Sequence, residues 1–226
     1  MGVGVPYGLA EDFARSLIWI AESGFDPVKI SLPALKSLDE EKSSIRACQT
    51  HDNSGIVLSP SENKQLSAIH GGSSVCDCIS LISNKSKEYQ KFTIKKVDHP
   101  FIIAAAVGSN NSGCWEISWK CSNGNLCLVL ISQNGNWKTS WQDNNIPEQD
   151  SPSDVFIVSV ENDLKNDINR KYQKTYFSNN RKKYLDEGIP IFCDWQKLYY
   201  YFSRVLVPSD EKSRISGAGA GLIDLD

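Results

Sequence analysis

The densest run of reactive side chains is His70-Gly71-Gly72-Ser73-Ser74-Val75-Cys76-Asp77-Cys78. A glycine turn there would aim backbone N–H groups at an oxyanion, with Cys76 as nucleophile and His51, His70 or His99 as its base. A second chemistry makes His70, Cys76 and Cys78 metal ligands. Zinc spacing needs another ligand pair, which the segment lacks, and neither a G-x-S-x-G nor an H-E-x-x-H motif occurs. The plainer reading, a turn leading into a buried segment Val75–Ile82, is therefore favoured, with Cys76 kept as the candidate catalytic residue and no metal expected.

A second cluster lies at the C-terminal end. Gly217, Gly219 and Gly221 free the backbone for close approach to a ligand or neighbouring chain, and they follow Arg204, Ser209 and Arg214, which together suit a carboxylate or phosphate. A free tail is the competing reading. Between Lys165 and Lys183 seven basic residues face Asp167 alone, either a solvated face or a place for an anionic partner.

Around these clusters the chain is ordinary for a globular protein. It has 226 residues, 40% of them apolar and 23% charged, and a formal net charge of −3. That balance argues against nucleic acid as the main partner, since backbone phosphates demand a dense basic surface. No apolar run approaches the length of a membrane span. Seven irregularly spaced cysteines (Cys48, Cys76, Cys78, Cys114, Cys121, Cys127, Cys193) suit reduced thiols and a cytoplasmic protein. There is no P-loop, Gly2-Val3-Gly4 does not follow a strand as a dinucleotide fingerprint would, and no cofactor is expected.

The elements that must position these residues begin with an amphipathic helix over Gly8–Ser23, ending at Gly24. Its apolar arc holds Leu9, Ala10, Phe13, Ala14, Leu17, Ile18, Ile20 and Ala21. Trp19 falls on the polar arc, as an exposed aromatic or a contact to another helix or subunit. Asp26-Pro27 opens a second helix.

From Tyr89 to Val160 the period drops from 3.6 to 2, which predicts a sheet. Strands are expected at Phe92–Val97, Phe101–Val107 and Val155–Val160, and the pairs Asn123-Gly124 and Asn134-Gly135 mark an antiparallel meander. Two-residue turns would set Trp119 opposite Leu128, Ile117 opposite Leu130, and Trp141 opposite Leu128. One face then carries Trp115, Ile117, Trp119, Leu126, Leu128, Leu130, Trp137, Thr139 and Trp141. Because these indoles alternate with Ile and Leu, core packing is favoured over a stacking platform for sugars or bases. In that register Cys114, Cys121 and Cys127 do not face one another. A last helix, capped by Asp194, would share Trp195, Leu198, Tyr199, Phe202, Val205 and Leu206 on one face.

Gly4-Val5-Pro6-Tyr7-Gly8-Leu9-Ala10-Glu11-Asp12 at one end, and Arg204-Val205-Leu206-Val207-Pro208-Ser209, Ser213-Arg214 and Gly217 to Asp224 at the other, resemble the two signatures of an uncharacterised bacterial family, a domain of unknown function. No activity comes with that resemblance. It implies a further helix before the Pro-Tyr-Gly segment, one that would cover Trp19.

The expectation is one α+β domain over residues 1–226: N-terminal helices, a central, mainly antiparallel sheet of five to seven strands, and a C-terminal helix. Two functions compete. The first is an accessory protein of a cytoplasmic metabolic enzyme, bound to a protein partner or its own copy through Trp19 and the glycine-bearing ends. The second is a small-molecule enzyme, hydrolase or lyase in type, with an anionic substrate held by Arg204, Ser209 and Arg214.

Overall fold

In the computed structural model of the chain, the residues described are 3–52, 55–82, 90–110, 113–142, 146–160, 171–178, 183, 186–188 and 195–204. Helix α1 (Tyr7–Glu22) ends where Gly24 takes a left-handed φ of 84° and the Phe25 amide donates back to the Ile20 carbonyl. Helix α2 (Pro27–Asp39) starts as expected from Asp26, whose Oδ1 accepts from the amides of Val28 and Lys29. The elements that follow are β1 (Ser43–Ser44), β2 (Ala47–Asp52), β3 (Gly55–Pro60), β4 (Gln65–Leu66), α3 (Ala68–Ile82), β5 (Lys91–Val97) and α4 (Pro100–Asn110). The chain continues through β6 (Trp115–Lys120), β7 (Leu126–Ile131), β8 (Trp137–Thr139), β9 (Ser153–Ser159), β10 (Lys174–Tyr176) and α5 (Trp195–Ser203).

The fold is α+β with a C-terminal helix, and its mixed sheet is mostly antiparallel. Among the described residues it has ten strands, in the order β1-β4-β5-β9-β6-β7-β8-β10, with the hairpin β2–β3 joined through β3 to β5. This exceeds the expected five to seven because the polar stretch before residue 67 contributes four strands of its own. Strands β3 and β4 run parallel to β5. Strands β5 and β6 each pair antiparallel with β9, so they too run the same way.

Residues 101–107 correct the strand expected there. They form α4, buried along nearly its whole length. An apolar run has no polar face from which to read a period, and Pro100 at the first helical position with three consecutive alanines favours the helix. Helix α4 packs between α1, α3 and the sheet.

The closeness of that packing rests on glycines. A Cβ on Gly72 of α3 would lie 2.8 Å from Ala106 Cβ, and one on Gly108 of α4 would lie 2.6 Å from Cε2 and Cζ2 of Trp19. The expected glycine turn at Gly71-Gly72 is thus a helix–helix crossing.

The meander is present, but its register differs by one residue. Ile117 pairs with Val129 and Trp119 with Cys127. Each Asn-Gly belongs to a three-residue loop rather than a two-residue one. Cys121 N–H donates to Asn125 O and Ser132 N–H to Asn136 O, while Gly124 and Gly135 take φ of 80° and 79°. The extra residue turns Cys127, Val129 and Ile131 toward the tryptophans and moves Leu128 and Leu130 to the reverse face. The core reading of the indoles holds: Trp115, Trp119 and Trp137 are buried, and Trp137 stacks on Tyr176 with ring centroids 4.0 Å apart.

Candidate functional site

The Cys76 cluster takes a different form from either chemistry proposed for it. Residues 68–82 are helical, so His70 and Cys76 are six positions apart on α3 and project from different sides of it. Cys76 lines a cleft of about 190 Å³ with Asp12, Arg15, Ser73, Asp77 and Asn110. Burial, reinforced by the charges of Asp12 and Asp77, pushes its thiol up to about 12. A nucleophile requires the opposite environment. The Ser73 hydroxyl donates to Asp12, closing one side of the cleft. No group of three metal-ligating side chains exists among the described residues.

Trp19 is 1% exposed. Its indole lies over Gly108 and beside Trp137, ring centroids 4.7 Å apart. Helix α4 and strand β8 of the same chain cover it, so its burial requires neither a partner nor a further helix. Arg204 is engaged as well: Nη1 donates to Asp39 Oδ1 at 2.6 Å and the guanidinium lies over Tyr200. Its charge is compensated within the chain. Ser209, Arg214, Gly217, Gly219 and Gly221, with the end of the proposed C-terminal helix face and Asp194, lie outside the described residues. On α5 the half-buried residues are Leu198 and Tyr201, while Trp195, Tyr199, Tyr200 and Phe202 are more than half exposed, so the helix does not bury the face expected of it. Cys121 and Cys127, brought together by the changed register, are free thiols. Burial and the neighbouring Cys121 thiol hold Cys127 up at about 12.

A larger groove lies elsewhere, at the carboxyl ends of the strands that run with β5. Beyond β5 the chain passes through Asp98 and His99 into α4. Trp119 stands at the end of β6, and residues 146–150 close the opposite wall. The resulting groove measures about 620 Å³, and its apolar wall includes Phe25, Ile30, Phe101 and Trp119. A recess of about 220 Å³, containing Asp98, Gln65, Lys36 and Lys42, shares Pro33, His99, Gln149 and Asp150 with the groove. Open sheets with parallel strands form ligand crevices at this edge, where helix N-termini converge.

Two buried acceptors on these walls are unused. Asp98 is 4% exposed; Oδ1 accepts from the amides of Ala68 (2.8 Å) and His99 (2.7 Å). Its Oδ2 has no hydrogen-bond partner among the described residues, and neither has Gln149 Oε1. Burial raises the pKa of Asp98, opposed by His99, the Ala68 amide and the Ser43 hydroxyl. Ser43 is near enough to favour the carboxylate without completing a bond, since its own Oγ is also unpartnered.

No family model matches the chain, and no curated protein matches it. Among solved structures the chain is similar to malate dehydrogenase from Pyrococcus horikoshii OT3. The TM-score is 0.57, at 10% identity over 92% of each chain. At that identity the likeness shows the fold alone. The groove is accordingly read from its own residues. The sequence signal for it was Asp98-His99-Pro100, an acid and an imidazole ahead of a proline-started helix, hidden by reading residues 101–107 as a strand. Among the described residues, no helix is long and apolar enough to cross a membrane.

Proposed function

We propose that the protein binds a small molecule in the groove at the carboxyl edge of β5 and β6, with His99 as the group placed to exchange a proton with it. The observation that carries this reading is the pair of buried, unpartnered acceptors, Asp98 Oδ2 and Gln149 Oε1, on walls that also hold an extended apolar surface. A buried acceptor without a donor is destabilising by roughly 1–3 kcal/mol, and a bound donor removes that penalty. Large apolar clefts with a few convergent polar groups are the usual form of small-molecule sites. This supports the enzyme-type reading of the sequence, moved from Arg204 and Cys76 to His99 and Asp98.

The test is a screen of small polar aromatics by ¹H–¹⁵N NMR. Binding should shift the Trp119 indole and the backbone amides of His99 and Gln149. Ile30→Trp, which fills the groove from its half-buried rim, should abolish those shifts while the protein stays folded. Shifts confined to the cleft around Cys76, or none at millimolar ligand, overturn the proposal.

The accessory-protein reading draws support from one observation, the exposed rings of Trp195, Tyr199, Tyr200 and Phe202 on α5. Large exposed aromatic surface marks interaction sites. Affinity purification from the native host should then retain a stoichiometric partner that Tyr199→Glu/Phe202→Glu releases. Equal retention by that variant removes α5 as the contact.

A further inference from the structure

Resting on the small-molecule reading above, we infer that the ligand is a compact organic cation: a protonated amine or quaternary ammonium on an apolar body. The groove's ionisable side chains are Asp26, Glu148 and Asp150 against Lys29, with His99 on the shared wall. Asp26 already serves as the N-cap of α2. Glu148 and Asp150 are exposed at the mouth and form no ion pair among the described residues. Behind them stands Gln149, whose Oε1 is buried and lacks a donor.

In the recess, Lys36 and Lys42 share Glu40, at 3.7 and 2.6 Å, so part of their charge is already balanced within the chain. Asp98 closes that recess with its unpartnered Oδ2. The two buried side-chain atoms left unsatisfied on these walls both accept hydrogen bonds, and Glu148 and Asp150 against Lys29 leave the mouth net negative. A carboxylate or phosphate would meet repulsion from Glu148 and Asp150, with Lys29 and His99 as the groove's basic side chains. A cationic nitrogen at the Gln149–Asp150 wall would satisfy the orphaned amide oxygen and pair with carboxylate, while its apolar body covers Ile30, Phe101 and the edge of Trp119.

Benzylammonium, benzyl alcohol and benzoate have nearly the same shape and differ in charge. Titrating each against the full chain, followed at the Trp119 indole, separates the two claims. Benzylammonium should bind at least tenfold more tightly than benzyl alcohol, benzoate weaker still, and the preference should shrink as salt rises. Glu148→Gln/Asp150→Asn, both exposed positions, should remove at least fivefold of the benzylammonium affinity with an unchanged melting temperature. Equal binding of amine and alcohol, or tighter binding of benzoate, sinks the cation assignment and leaves the groove standing. If none of the three binds at the groove, both fall.

Discussion

Placing one methyl group on Gly108 tests the packing that holds α1, α4 and the sheet together. The Cβ of Gly108→Ala would sit 2.6 Å from two ring carbons and 3.0 Å from Nε1 of Trp19. That indole cannot swing aside, because it is 1% exposed and lies against Trp137. Overpacking of a closed core is destabilising by about 1–3 kcal/mol, and contact with a clamped ring belongs at the upper end. Alanine in a helix interior returns about 1 kcal/mol relative to glycine. The net is a loss of about 2 kcal/mol, or roughly 4–8 °C in Tm for a chain of this size. Gly8→Ala supplies the control: Gly8 is an exposed helical glycine with nothing within 4 Å of its Cβ position, so the change should be neutral or slightly stabilising. Trp19→Phe shortens the ring that clashes, so in urea or thermal unfolding the pair Trp19→Phe/Gly108→Ala should lose less than the sum of its single changes. A Gly108→Ala protein as stable as the parent, or strict additivity of the pair, refutes the claim that the indole is seated on that glycine.

Alkylation followed by mass spectrometry should label exposed Cys48 well before Cys76. The Cys76 rate should keep climbing toward pH 12, where burial and the two aspartates have moved its thiol; faster labelling of Cys76 at neutral pH would restore it as a nucleophile. For Asp98 the folded-state pKa lies above its unfolded value, so folding favours the protonated form. The associated stability is fully present below the unfolded pKa of about 3.9 and is lost as pH rises through the raised folded pKa. Asp98→Asn should flatten that part of the stability profile, and an unchanged profile would show that the carboxyl is not the titrating group.

Local rules carried the helices and failed at lengths and surfaces. Asp26-Pro27 and Gly24 mark their helix ends because caps are local chemistry. The tryptophan face is legible because alternation survives any register. The register itself depends on whether an Asn-Gly turn holds two residues or three, and the two loops differ by a single hydrogen bond that composition does not encode. Residues 101–107 escaped because a helix buried on every side has no period to read. Trp19 looked misplaced on a helical wheel because the wheel lacks Gly108, whose missing side chain admits the indole. The groove was hidden for a related reason. Its walls come from α2, the turn after β5, the end of β6 and residues 146–150, segments that only the closed sheet brings together.

The hydrogen bond that the Ala68 amide donates to the Asp98 carboxylate spans thirty residues and ties the start of α3 to the turn after β5. Helix α3 therefore gains this N-terminal cap only once the strand that follows it has been laid beside β3 and β4. In folding, the β3–α3–β5 crossover should assemble as one unit rather than around a preformed helix. In hydrogen exchange, the Ala68 amide should open together with β5. The same carboxylate borders the recess, so occupancy of the groove should slow exchange at the beginning of a helix whose own residues lie largely outside it.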